Sequence, residues 1–216
     1  TVTFNKPVTG FTNADVLLSG TAGATTAVVT GAGANYNVAV SGMVGNGTVV
    51  ATIPAGVAQD VSNNLNTAST STDNTVTYDN VAPTVTINRA AAQADPTNAS
   101  PINFTVVFSE PVTGFTGADV ALSGTAGATA AVVTGTGTTY NVAVSGMITS
   151  GTVIAIVPAG NANDAAGNGN ANSTSIDNNV LYDATAPSVT IDQAVAQIDP
   201  TNASPFNFTV VFSEPA

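Results

Sequence analysis

The segment FTVVFSEPVTGFTGADV, Phe104 to Val120, has a near copy at Thr1 to Val16 and a third, shorter copy at Phe208 to Ala216. Shifted by 104 positions, the chain aligns on itself without a gap, and 77 of the 112 overlapping positions are identical. A period of that length means that the folding unit is a repeat, and local structure has to be read inside that frame. The joints fall at the Ala-Pro that follows Tyr-Asp, at Ala82-Pro83 and Ala186-Pro187. Residues 83–184 then form one complete unit. Residues 1–80 are a unit lacking its first two strands, and residues 185–216 are the first strands of a third. Thr1 opens inside a repeat, so the sequence reads as a piece of a longer polypeptide or a processed part of one.

Within the complete unit, apolar residues alternate over short runs bounded by Gly, Pro, Asn and Ser, the pattern of half-buried antiparallel strands. Val85 and Ile87 share one face of strand A, and Ile102, Phe104, Val106 and Phe108 one face of strand B. Val120 and Leu122 mark strand C, Ala131 and Val133 strand D, Tyr140, Val142 and Val144 strand E. Val153, Ala155 and Val157 mark strand F, and Val180 and Tyr182 strand G. No run carries a helical period long enough for a stable helix. About seven strands per 104-residue repeat, joined by turn-rich loops, predict tandem immunoglobulin-like Greek-key β-sandwiches, an all-β fold. There is no Trp and only eight Phe and four Tyr, so the core must be built from many small Val and Ala contacts.

Charge is sparse and one-sided, with thirteen Asp or Glu against Lys6 and Arg89, a net charge of −11. Nucleic acid is excluded as a partner, because phosphate neutralisation needs clustered cations. Anionic membrane surfaces are disfavoured on the same ground. Gly, Thr and Asn interrupt every apolar run, so no segment inserts into a membrane as a helix. No Cys is present to form disulfides or thiolate metal sites, and no His to serve as an imidazole base or zinc ligand. A carboxylate pair of the glycosidase kind would sit in repeated loops without the Trp common in sugar clefts. The chain therefore reads as a protein that is not an enzyme. The Asn-X-Ser/Thr sequons, such as those at Asn98 and Asn172, read as a by-product of Asn and Thr abundance.

Three phrases in fixed order carry a family likeness: FSEPVTGFTGADV, VPAGNANDAAGN at Val157 to Asn168, and VLYDATAPSVTI at Val180 to Ile191. They resemble bacterial Ig-like repeats over the whole chain. The resemblance implies tandem arrays in large secreted or surface-anchored proteins of adhesin type, hence an extracellular, cell-surface setting and a stalk or spacer role. The departure from the pattern is Asn5-Lys6, which stands where the other copies have Ser109-Glu110 and Ser213-Glu214.

Strand counting places the B–C loop (Ser109 to Gly114) and the F–G loop (Ala159 to Asn172) at the end that faces the preceding unit. Strand G of that unit delivers Asp79 to the same end, so Asp79, Glu110 and Asp164 should converge at one joint. Asp183 and Glu214 should meet at the next, with Asp95 and Asn98 contributed by the A–B loop. Calcium takes six to eight oxygens from carboxylates, Asn side chains and carbonyls, which such Asp- and Asn-rich loops supply. These six acids are the candidate calcium ligands, and cadherin-like arrays use comparable joints. The alternative is structural, with Asp79 and Asp183 ending strands and Asp164 and Asn168 shaping a turn. Lys6 predicts a weaker or missing site ahead of the first unit. Asp15 and Asp119 read as turn caps, and Asp73 and Asp177 as solvent-facing edge charges.

The expected function is structural: sandwiches in series forming an extended stalk or filament, each unit contacting mainly its neighbours. The rival is an adhesion module that binds a glycan or protein at its loop tips. Exposed aromatic clusters, or loops that diverge between copies, would favour that rival, and neither stands out in the sequence. A homopolymer is a second assembly, because residues 185–208 are what the first unit lacks and residues 209–216 duplicate residues 1–8. One chain would then complete the next by strand donation.

Overall fold

A computed structural model of the chain, describing residues 1–215, consists of strands with two short 3-10 turns at Asn13–Asp15 and Gly117–Asp119. In the first unit the strands are β1 (Val2–Val8), β2 (Leu17–Ser19), β3 (Thr26–Ser41), β4 (Gly47–Thr52) and β5 (Thr75–Tyr78). The central unit carries β6 (Val85–Arg89), β7 (Ile102–Val112), β8 (Ala121–Ser123), β9 (Ala130–Ser145), β10 (Gly151–Ile156) and β11 (Asn179–Tyr182). A last pair, β12 (Val189–Gln193) and β13 (Phe208–Phe212), forms a sheet of its own.

Central-unit strands make two antiparallel three-stranded sheets, β6-β7-β9 and β11-β10-β8. Alternation in the sequence decides which faces meet. On β7 the residues Ile102, Phe104, Val106 and Phe108 are buried, while Asn103, Thr105 and Val107 lie on the other face. They pack with Val85, Ile87, Val142 and Val144 against Val153, Ala155 and Val180 of the second sheet. The core is thus a sandwich interior of small aliphatic side chains.

Rings gather at one end of it. Phe108, Phe115 and Tyr140 meet edge to face with centroids 5.2–5.8 Å apart. The Tyr140 hydroxyl donates to the Val112 carbonyl at 3.1 Å. Phe4, Phe11 and Tyr36 repeat the arrangement in the first unit, where Tyr36 donates to the Val8 carbonyl at 3.1 Å.

Two local features differ from the sequence expectation. Strands D and E are one continuous strand, the sixteen-residue β9, so the central unit has six strands. Gly135 and Gly137, with φ of +121° and +73°, let the backbone jog there without leaving the sheet. A Cβ on Gly135 would lie 2.6 Å from the Thr139 carbonyl oxygen. Secondly, Ser109-Glu110-Pro111 is not a turn after strand B but an irregular stretch inside β7. From Val107 to Val112 the strand advances five residues while its partner moves only from Thr139 to Gly137. The surplus bends the strand as a bulge does.

Because the Val112 carbonyl is buried at that irregularity, Tyr140→Phe keeps the ring and removes the one side-chain donor to that carbonyl among the described residues. The expected cost is about 1–3 kcal/mol. It should appear as a lower denaturant midpoint with an unchanged slope. An unshifted midpoint would mean that the hydroxyl does not anchor the bulge.

Candidate metal centre

The bulge of β7, the end of β5 and the loop after β10 meet at the joint between the first and central units. There Asp79, Glu110 and Asp164 each present a carboxylate oxygen, and the three oxygens lie within 4.8 Å of one another. Each is positioned by its own local chemistry.

Asp164 is buried and lies in a tight turn. Its Oδ1 accepts the backbone N–H groups of Ala166 and Asn168, both at 2.8 Å, and its Oδ2 accepts the Asn168 side-chain amide at 2.9 Å. The Asn168 amide, opposed by burial and helped by the surrounding N–H groups, holds the Asp164 carboxyl below its ordinary range. The same Asn168 amide also donates to the Asp79 backbone carbonyl at 3.2 Å, so one side chain ties the loop to the linker.

Asp79 follows β5. Its Oδ1 accepts the Asn46 amide and the Val81 N–H, while Asn46 Oδ1 accepts the Asn80 N–H at 2.9 Å. The ladder pairing of Gly47 with Tyr78 sets Asn46 opposite Asp79. Further along the linker, the Ala171 N–H donates to the Pro83 carbonyl at 2.9 Å, and Thr84 N–H to Ser109 Oγ at 3.0 Å.

Glu110 is half-buried and accepts no hydrogen bond among the described residues. Burial first, then the charges of Asp164 and Asp79, push its carboxyl above the ordinary glutamate range. Three carboxylates with no nitrogen or sulfur donor make a hard-oxygen set, which suits calcium or magnesium and not zinc.

Shifting this geometry back by 104 residues gives an internal comparison. Asp60 occupies the position of Asp164 in the same kind of turn, accepting Ser62 N–H at 2.8 Å and Asn64 N–H at 3.0 Å. Lys6 occupies the position of Glu110, and its Nζ lies 2.9 Å from Asp60 Oδ2. The ammonium, with Asn64, holds the Asp60 carboxyl far below its usual value.

The remaining candidates are placed otherwise. Asp183 accepts Thr185 N–H at 3.0 Å and Ser150 Oγ–H at 3.2 Å, which lower its carboxyl. Ser150 there plays the part of Asn46. Glu214 follows β13, and neither it nor Asp183 belongs to a group of three acids among the described residues. Asp95 is engaged elsewhere: it accepts Leu181 N–H at 2.9 Å and lies 3.4 Å from the Arg89 guanidinium. Arg89 also pairs with Asp177 at 3.2 Å, so Asp177 is not a free edge charge. Asp119 caps its 3-10 turn, accepting Thr116 N–H at 2.7 Å. Asn46 had no signal of its own in the sequence; only the pairing of β4 with β5 reveals it.

No helix among the described residues is long and apolar enough to cross a membrane. Comparison with curated proteins and with solved structures finds no match to the chain. Comparison with protein families finds one at residues 79–180, from the joint aspartate to the middle of β11. The central unit of this chain, with its two three-stranded sheets, matches the bacterial Ig-like domain family.

Proposed function

We propose that the chain is a spacer module of a bacterial surface protein of adhesin type, working outside the cell as part of an extended stalk. Calcium at Asp79, Glu110 and Asp164 would stiffen its joint. The observation that carries this reading is the contrast between the two copies of one position. Where Glu110 stands, three carboxylates face one another without a cation of their own. Where Lys6 stands, the equivalent aspartate already has an ammonium at 2.9 Å. A joint that brings together three acids from both units is favoured only if something offsets their repulsion, and a divalent ion does so while linking β5 of one unit to β7 and the β10 loop of the next.

Nothing in the described side chains supports catalysis, and the family is one of modules. Length and stiffness are what such a repeat supplies: Ala171 and Asn168 grip the linker, and the core of each unit holds its own strands. The exposed residues in the loops of the central unit form no aromatic cluster, so the adhesive-tip reading finds no matching feature there.

Millimolar calcium should raise the melting temperature, and chelator should reverse the rise, because a ligand of the native state stabilises it. A gain of 1 kcal/mol corresponds to roughly 4–8 °C for a unit of this size. Scattering should show a more uniformly extended particle with the ion than without. An unmoved melting curve removes calcium from the joint.

Glu110→Gln should do two things at once: raise the stability of the metal-free chain at neutral pH and abolish its response to calcium. The sign follows from the raised carboxyl. Ionising Glu110 disfavours the folded state, so the penalty is absent below its ordinary value of about 4.5 and grows as pH rises through the folded value. The advantage of Glu110→Gln over the parent chain should therefore shrink as the pH falls toward that value. A constant or inverted difference would mean that the three acids do not repel one another at the joint.

A further inference from the structure

Two Asn-Gly pairs occur in the chain, Asn46-Gly47 and Asn168-Gly169, and both lie at the joint between the first and central units. The Asn46 amide donates to the Asp79 carboxylate. The Asn168 amide donates to Asp164 Oδ2 at 2.9 Å and to the Asp79 carbonyl at 3.2 Å. In such a pair the glycine has no Cβ to shield its backbone nitrogen, which can reach the side-chain carbonyl carbon of the asparagine before it. By sequence the two pairs are alike.

Their backbones differ. Gly47 stands in the β4–β5 ladder opposite Tyr78. In the same register the Ala51 N–H donates to the Asn74 carbonyl at 3.1 Å, and the two-residue alternation of an antiparallel ladder puts Gly47 in that hydrogen-bonded set. Its nitrogen is engaged. Gly169 bridges Asn163, but through the bonds on either side of it: Asn170 N–H to the Ala162 carbonyl at 2.9 Å, and Asp164 N–H to the Asn168 carbonyl at 3.1 Å. That pairing turns the Gly169 N–H out of the ladder, and it donates to no acceptor among the described residues. Ala165, Ala166 and Gly167 just before the pair are exposed, so water reaches the turn.

We propose that Asn168 is a site of self-modification, converted in the folded chain to aspartate and isoaspartate. The Gly169 nitrogen bonds to Asn168 Cγ, the Cγ–Nδ2 bond breaks, and ammonia leaves with the proton from Gly169. Water then opens the resulting cyclic imide at either carbonyl, giving aspartate with a normal backbone or isoaspartate with a diverted one. The amide has to release Asp164 and the Asp79 carbonyl before it reacts, so each conversion records one opening of the clasp.

The consequence falls on the joint. Conversion replaces a donor shared by two acceptors with a further carboxylate beside Asp79, Glu110 and Asp164. Like charges then oppose one another, and the linker is left to the Ala171–Pro83 and Thr84–Ser109 bonds. The joint loosens with age. In the first unit Asn64 makes the same turn, donating to Asp60, but Leu65 follows it. The leucine side chain shields the nitrogen that would attack, so this turn keeps its amide and its Lys6 partner.

Ageing the full folded chain at mildly alkaline pH, with chelator present, tests this. Isoelectric focusing should show a form one unit more negative than the starting net charge of −11. Peptide mapping should place aspartate and isoaspartate at residue 168, with Asn46 and Asn64 intact. In denaturant, where the β4–β5 ladder is gone, Asn46 should convert as well. Gly169→Leu copies Leu65 and should lose the acidic form. Should that variant misfold, the intact Asn46 and Asn64 of the parent chain remain the internal controls. The aged parent and Asn168→Asp should both melt below the fresh parent. A folded chain that gains no acidic form overturns the proposal. So does conversion at Asn46 as fast as at Asn168, or a folded Gly169→Leu chain that ages like the parent. An aged chain that melts like the fresh one overturns the loosening of the joint. Because chelator is present throughout, the outcome is independent of the metal reading.

Discussion

Small aliphatic side chains hold this fold together, and they are buried only where a strand from each sheet closes over them. In the central unit Val142 and Val144 of β9 are fully buried beside β6 and β7 in their own sheet, and Val153, Ala155 and Val180 of the second sheet are fully buried facing them. The same residue types in the first unit form a thinner cluster of Val8, Phe11, Val16, Tyr36, Ile53 and Ala58, with Val2, Phe4, Val38 and Ala51 only partly covered. Since each Val or Ala contributes little alone, the cooperativity of the unit depends on having every strand in place. With no Trp and no disulfide the core has no large anchor to rely on instead. The completeness of each sheet is the constraint from which the rest of the molecule follows.

The aromatic triad and the bulge translate that core into a joint. Phe108 belongs to the buried face of β7, and Tyr140 sits opposite Val106 on β9. Their contact with Phe115 fixes the end of the sandwich, while the Tyr140 hydroxyl donates to the buried Val112 carbonyl beside the shifted register. Between these two fixed points Ser109, Glu110 and Pro111 are pushed out toward the preceding unit. Ser109 then accepts the Thr84 N–H, and Glu110 meets Asp79 and Asp164. The position of Glu110 is thus a consequence of core packing and not of a flexible turn.

Much of this was legible in the residues, because strand alternation and exact repetition both survive without long-range information. The strand faces of β6 and β7 and the convergence of Asp79, Glu110 and Asp164 follow from counting along alternating strands. The continuity of β9 did not, since Gly135 and Gly137 are the residues that normally mark a turn, and only the ladder to β7 shows that they bend a strand without ending it. Asp177 was misread for a different reason: Arg89 pairs with it as well as with Asp95, and a sparse cation acts over a distance that local pattern cannot reveal. Asn46 escaped notice because the chain writes the same clasp in two ways, an amide for Asp79 and a hydroxyl at Ser150 for Asp183.

Lys6 and Glu110 show two answers to one electrostatic problem. The turn at Asp60 or Asp164 fixes a low-lying carboxylate whose N–H donors stabilise its charge but do not neutralise it. At Asp60 the protein supplies the counter-charge itself, through a lysine on the bulge of β1. At Asp164 the same bulge supplies a further negative charge, and Asp79 brings another across the joint. The first arrangement closes within a unit and leaves nothing for a neighbour to share. The second gathers like charges at the joint, and on the proposed function it would become favourable when a cation joined the two units, so that one substitution would separate a position serving the stability of a domain from one serving the connection between domains.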